Sequence, residues 1–166
     1  MQRRIWVAAL AVLAALVGSL SGEAAAKPKQ TMSAIVNGHK VKLKNKQIQG
    51  AIAGAGGISI TGGTKLRHLG QVAKSLVVTC ASGPLTGGTL AAPTPGQTCT
   101  IGYMETKFSR HPTVKEWQAP YGGPTVTFTA FDGSRVQGTF SGTLAPLTGT
   151  TQSVTVTTGM FSILVP

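Results

Sequence analysis

The chain has 166 residues and a formal net charge of +11, with 15 Lys and Arg against only four Asp and Glu. With so few carboxylates and three scattered His, the composition argues against a clustered metal site and leaves catalysis little support. The length suits a single domain with a hydrophobic core of its own.

The first 26 residues have the features of a secretory signal peptide. Arg3 and Arg4 form a positive start, residues 5–20 are almost entirely apolar, and Ala24-Ala25-Ala26 matches the small-x-small pattern of a cleavage site. The pattern predicts general secretion and a mature chain that begins at Lys27.

Two other kinds of leader fit less well. The apolar run is slightly shorter than the roughly 18–20 residues of a membrane-spanning helix, which favours cleavage over an uncleaved anchor. Glu23 stands where a lipoprotein would carry its lipidated Cys. We therefore expect residues 27–166 to form one exported domain, periplasmic or extracellular and not lipid-anchored.

A β-hairpin is predicted over residues 31–43. Asn37-Gly38 favours a two-residue type I′ turn, because both positions of that turn require positive φ. Such a turn sets the pairs on the apolar face, Val36 with His39, Ala34 with Val41 and Met32 with Leu43. Alternation then places four lysines in one row on the other face: Lys40, Lys42, Lys44 and Lys46.

The four lysines support two hypotheses. Residues 27–104 hold nine Lys and Arg and no acidic residue, so this face suits an anionic partner such as an acidic glycan or a membrane surface. Lysines along an exposed strand also protect a sheet edge from pairing with another chain. Nucleic acid fits poorly as a partner, because no aromatic side chains for base stacking lie among the lysines.

Further strands are predicted over residues 47–61 and 72–80, with a loop or short helical turn at 64–71. Cys80 ends one apolar strand and Cys99 begins the next. In an exported protein such a pair is most simply a disulfide, here closing a loop rich in Gly, Pro and Thr. A redox pair or metal ligands would be the alternatives, but CxxC spacing is missing.

Residues 105–123 are the least regular part and predict a loop, because Pro112 and Pro120 interrupt regular structure. Arg110, Trp117 and Tyr121 are candidate ligand-binding side chains, since such residues often anchor partners on loops. The favoured alternative is that the aromatic side chains plug one end of the core.

The clearest strand signals lie in residues 125–165. Val126, Phe128 and Ala130 alternate with threonines, and Asp132-Gly133 predicts a turn. On the return strand Gly138 and Gly142 share the apolar face and leave room for large neighbouring side chains. The final strand changes parity between Val154–Val156 and Phe161–Val165, which predicts a β-bulge near Gly159.

These patterns predict an all-β domain of about eight antiparallel strands, a sandwich or partly closed barrel. No nucleophile elbow, P-loop or clustered ligand set is present, so the sequence predicts no enzyme and no cofactor.

The segments SAIVNGHKV, GGISITGG and VQGTFSGTL, with the ending TTGMF, resemble a family of small exported bacterial β-rich domains. Its members are usually labelled hypothetical proteins or lipoproteins and have no known function. The resemblance implies an exported β-domain but supplies no catalytic residue, cofactor or partner.

Three functional hypotheses follow. The first is a non-catalytic envelope or periplasmic module that binds anionic surfaces or ligands through its basic face. The second is a barrel-type carrier of a small apolar ligand held near Trp117, with Gly50, Gly138 and Gly142 leaving the space. An enzyme is the remote third.

Overall fold

The computed structural model describes residues 29–52, 57–65, 68–81, 85–86, 89–90, 99–119 and 123–165. The predicted signal peptide and Tyr121 lie outside these ranges. The described strands are β1 Thr31–Val36, β2 His39–Lys44, β3 Ile48–Ile52, β4 Ile58–Gly63, β5 Val72–Cys80, β6 Leu85–Thr86, β7 Thr89–Leu90, β8 Cys99–Lys107, β9 Thr113–Gln118, β10 Thr125–Phe131, β11 Arg135–Thr148 and β12 Val154–Leu164.

Ten of these strands form one antiparallel sheet that curls into a nearly closed barrel. The order is β2-β1-β12-β11-β9-β8-β5-β4-β3, and β10 pairs with β11 beside that path. The all-β prediction is confirmed, with more strands than the eight expected. Gly50 of β3 packs on Ile163 and Val165, so the last strand of the path returns toward β12.

The long strand β11 joins the C-terminal strands β10 and β12 to the central strands β5, β8 and β9. Its first part, through Leu144, pairs with β12, and Thr125 to Phe131 of β10 pair with it on the other side. Its last residues, Ala145 to Thr148, pair instead with β9. One strand of 14 residues can therefore belong to the C-terminal hairpins and to the central sheet at once.

The first hairpin has the predicted register, with Val36 opposite His39 and Met32 opposite Leu43. Asn37 and Gly38 have φ of 46° and 81°, as a type I′ turn requires. The side chains on the inner face of this hairpin are buried: Met32, Ala34, Val36, Val41 and Leu43.

The barrel interior is filled by apolar side chains from both parts of the sheet. Buried residues include Ile58, Ile60, Leu76, Val78 and Ile101 on the central strands, and Val136, Leu144, Val156 and Ile163 on the C-terminal strands. Alternate residues of each strand point inward, as the period of two in residues 125–165 predicted for the C-terminal strands.

The parity change in β12 is resolved by the predicted bulge. Phe140 pairs with Gly159 and Gly142 pairs with Val156, so Thr157 and Thr158 together oppose one residue of β11. Thr158 adopts φ of 45°. Val154 and Val156 before the bulge and Phe161, Ile163 and Val165 after it are all buried.

Candidate functional site

Lys40, Lys42 and Lys44, here called the edge lysines, lie exposed on the outer face of β2. Since β2 is the first strand of the sheet path, these lysines stand along a sheet edge. Lys46 does not continue the row, because Asn45–Gln47 form a 3₁₀ turn that ends the strand alternation. The backbone N–H of Lys44 donates a hydrogen bond to Gln47 Oε1 at 3.1 Å.

The three rows of side chains beside the edge lysines contain no carboxylate, and the Arg135 guanidinium donates a hydrogen bond to Ser162 Oγ at 2.9 Å. The register across β2, β1 and β12 forms three outward-facing rows: Lys40–Ile35–Thr157, Lys42–Ser33–Met160 and Lys44–Thr31–Ser162. Within the described ranges, no carboxylate forms an ion pair with an edge lysine. Their positive charge therefore faces solvent beside hydroxyl-bearing side chains, available to an anionic partner.

Trp117 was predicted on a loop, and this placement is wrong. It lies in β9, which pairs with β8 on one side and with β11 on the other. The indole is buried and stacks on Tyr103, with ring centroids 5.4 Å apart. Its Nε1–H donates a hydrogen bond to the Gln152 carbonyl oxygen at 2.6 Å. Trp117 thus serves the core, as the alternative interpretation of this segment expected.

Arg110 does not join Trp117 in one site. It is exposed in the connection between β8 and β9, beyond the terminal pair of Lys107 with Thr113. The Tyr103–Trp117 pair lies four residue pairs further along the hairpin, a distance of about 13 Å. The structure therefore separates these two candidate side chains.

A charged row at one end of the barrel was missed by the sequence analysis. Lys74 pairs with Glu105, and Glu105 pairs with Lys115, so one row crosses β5, β8 and β9. The next row into the barrel is Leu76–Tyr103–Trp117, which is buried. The three charged residues have the same strand parity as this apolar row and hence face the barrel mouth.

Glu105 is the centre of the charged row. One carboxylate oxygen, Oε1, lies 3.8 Å from Lys74 Nζ and accepts a hydrogen bond from the Tyr103 hydroxyl at 2.6 Å. Burial, the hydrogen bond to Glu105 and the negative charge of that carboxylate all raise the pKa of Tyr103 above its usual range. Tyr103 therefore stays a neutral hydrogen-bond donor to Glu105.

The charged row forms one wall of a cleft of about 260 Å³, here called the mouth cleft. The facing wall comes from the β1–β2 hairpin and the β11–β12 connection, with Asn37, His39, Thr150 and Gln152. The equal parity of Lys74 with Leu76 and of Lys115 with Trp117 could have indicated inward-facing charges. The cross-strand register that joins them could not be derived from either segment alone.

The three glycines suggested for a carrier all lie against neighbouring residues, and Gly50 also lines an open cleft of about 550 Å³. An added Cβ at Gly50 would meet Ile163, one at Gly138 would meet the Phe161 ring, and one at Gly142 would meet Pro124. Side chains of neighbouring segments thus occupy the volume that the glycines free. The sequence predicted that Gly138 leaves room for a large neighbouring side chain, and Phe161 is that side chain.

Cys80 and Cys99 form the predicted disulfide, as directly opposed residues of β5 and β8 with Cα atoms 4.0 Å apart. Both are buried.

Across the described ranges, no three His, Cys, Asp or Glu residues are grouped as a metal site would require. The same part of the chain contains no helix long and apolar enough to cross a membrane.

Comparison with known proteins identifies no relative: no family model, no curated protein and no solved structure matches the chain.

Proposed function

We propose that this protein is an exported, non-catalytic domain that binds an extended acidic polymer, such as an acidic glycan, through the edge lysines. The observation that carries the proposal is their arrangement: three exposed ammonium groups on one strand face, without ion-pair partners in the described chain. Alternate residues of a strand are about 6.7 Å apart, so the charges follow a straight line.

The spacing of the edge lysines favours a linear partner. Neighbouring ammonium groups lie within about one Debye length, roughly 8 Å at physiological salt, so they attract a polyanion together. The adjacent surface of β1 and β12 adds Thr31, Ser33 and Thr157 as hydroxyl donors and acceptors without opposing charge. The same rows also hold Ile35 and the exposed Met160, so hydroxyl groups and apolar side chains lie together beside the positive charges.

Export is the second part of the proposal. A disulfide is typical of an oxidising compartment, and the leader pattern and the family resemblance support the same compartment. Intact mass spectrometry of the secreted protein should give a chain that begins at Lys27 and lacks two hydrogens. A retained leader would contradict the predicted processing, and two free thiols would contradict the oxidised state.

The binding test compares two triple variants with equal loss of charge. One replaces Lys40, Lys42 and Lys44 by Gln. The control replaces Lys65, Lys107 and Arg110 by Gln, because these exposed residues lie outside β1, β2 and β12. Retention is measured as the salt concentration that elutes each protein from a carboxylated dextran matrix.

We expect the edge variant to elute at clearly lower salt than the control variant. Both should unfold within about 0.5 kcal/mol of the wild type, because exposed charges contribute little to stability. Equal elution of the two variants would refute a specific binding face. Self-association of the edge variant in that case, seen by size-exclusion chromatography, would support edge protection instead.

A second arm separates a polymer from a membrane. Vesicles of phosphatidylcholine with phosphatidylserine replace the dextran matrix, and co-sedimentation is measured for the wild type and both variants. Strong, edge-lysine-dependent binding to vesicles without retention on dextran would favour a membrane surface over the proposed polymer. Retention on dextran with weak vesicle binding is the expected result.

A further inference from the structure

The mouth cleft is lined by charged and polar side chains, whereas no charged side chain is buried within the described part of the chain. The inward-facing row below it is Leu76–Tyr103–Trp117, whereas the row that lines it is Lys74–Glu105–Lys115. Burying charged groups in an apolar interior is costly. The side chains of Lys74 and Glu105 are 31% and 28% exposed, so they face solvent in the cleft rather than the packed core.

The charges in this row do not cancel. Glu105 is already engaged by Lys74 and by the Tyr103 hydroxyl. Lys115 lies opposite Glu105 in the register and is exposed, and no ion pair to it is formed within the described part of the chain. The wall thus carries one excess positive charge, directed into a concave site, which selects for an anionic ligand.

The facing wall is mostly polar and contains no Lys, Arg, Asp or Glu among its lining residues. Thr150, Gln152 and Ser153 contribute hydroxyl and amide groups, which can bond to ligand hydroxyls. The volume of about 260 Å³ lies just below the roughly 300 Å³ at which pockets for drug-sized molecules begin. A cleft of this volume matches a single sugar-sized ring.

We propose that the mouth cleft is a binding site for a small hydroxylated carboxylate of single-ring size, such as a sugar acid. Lys115 pairs with the ligand carboxylate, and Glu105 and the facing wall bind its hydroxyl groups. The site is separate from the edge lysines, which lie on the outer face of β2, and does not depend on the function proposed for them.

The test uses D-glucuronate as the probe, with D-glucose and acetate as matched compounds that lack the carboxylate or the ring. Binding is measured by calorimetry and by the ¹H–¹⁵N resonance of the Trp117 indole, assigned through Trp117→Phe. This N–H bonds to the Gln152 backbone in the cleft wall, so an occupied cleft should shift its signal. Glucuronate should bind at least about tenfold more tightly than either matched compound, a difference of about 1.4 kcal/mol.

Three variants locate the site. Lys115→Gln should weaken glucuronate binding by about tenfold, the loss expected for one charge-assisted bond. Lys115→Arg keeps the charge and should retain binding. Lys42→Gln removes equal charge from the edge strand and should change the affinity by less than about twofold, because that charge lies on another face.

Several outcomes would overturn the proposal. Glucose binding as tightly as glucuronate would exclude the role of the charge, and acetate binding equally well would reduce the cleft to a general anion site. An equal loss in Lys42→Gln and Lys115→Gln would show attraction by net charge alone. Because Lys115 is exposed, Lys115→Gln should fold normally, which its urea unfolding curve verifies.

Discussion

Replacing Gly138 by Ala tests the packing of the C-terminal strands. An ideal Cβ on Gly138 would lie 2.5 Å from Cζ of Phe161 and 2.5 Å from the carbonyl oxygen of Thr127. Normal carbon contacts are about 3.5–4.0 Å, so both contacts must be relieved by a shift of these groups or of Gly138 itself. Phe161 is 3% exposed and packs edge-to-face on Phe128 and stacked on Phe140, so its ring has little room to retreat.

The magnitude follows from two opposing effects. Overpacking of a filled core costs about 1–3 kcal/mol. Ala in a strand interior is intrinsically better than Gly by about 0.5–1 kcal/mol, which offsets part of that cost. Gly138→Ala should therefore lower the free energy of unfolding by about 1–2 kcal/mol, and the melting temperature by about 3–6 °C for a domain of this size.

Gly102→Ala is the matched control. Gly102 also lies inside a strand, but its added Cβ would be 3.6 Å from Val77 Cβ, an ordinary contact. We expect this variant to be as stable as the wild type or more stable by about 0.5 kcal/mol. Urea unfolding followed by tryptophan fluorescence measures both variants. Equal stability of the two would refute the proposed packing of Phe161 over Gly138.

Two further perturbations probe stability. Replacing Cys80 and Cys99 by Ala should cost about 3 kcal/mol in urea unfolding, because a separation of 19 residues sets the loop entropy released in the unfolded chain; a loss below about 1 kcal/mol would contradict this estimate. Burial and Glu105 raise the pKa of Tyr103, so above pH 10 the unfolded chain releases a proton that the folded protein keeps. The free energy of unfolding should be unaffected by this group below pH 10 and should fall above pH 10 by up to about 1.4 kcal/mol per pH unit. Tyr103→Phe should show a shallower alkaline decline. Identical pH profiles of the wild type and Tyr103→Phe would exclude the effect.

Local signals in the sequence were enough to predict the first hairpin turn and the bulge in β12, because residues adjacent in sequence determine both. Asn37-Gly38 specifies its turn because few other residues adopt positive φ at both positions, and the turn then sets the register through Met32 and Leu43. The bulge in β12 followed from parity alone, since Val156 and Phe161 can both be buried only if the strand gains a residue between them.

Strand β9 shows where local signals fail. Lys115 and Trp117 share one face of this strand while Val114 and Glu116 share the other, so neither face is uniformly apolar. Such a segment has no period-two hydrophobic pattern and was predicted as a loop. Its backbone becomes a strand because β8 and β11 supply hydrogen-bond partners on both sides, and because Trp117 fills the core.

The two candidate sites, the edge lysines and the mouth cleft, differ in how far the sequence could predict them. The edge lysines could be predicted because their spacing within one strand places them on one face, although only the fold showed that β2 is an edge and that Lys46 leaves the row. The mouth cleft could not, because Lys74, Glu105 and Lys115 come from three strands. Their juxtaposition depends on the register of β5 with β8 and of β8 with β9, which no single segment of the sequence encodes.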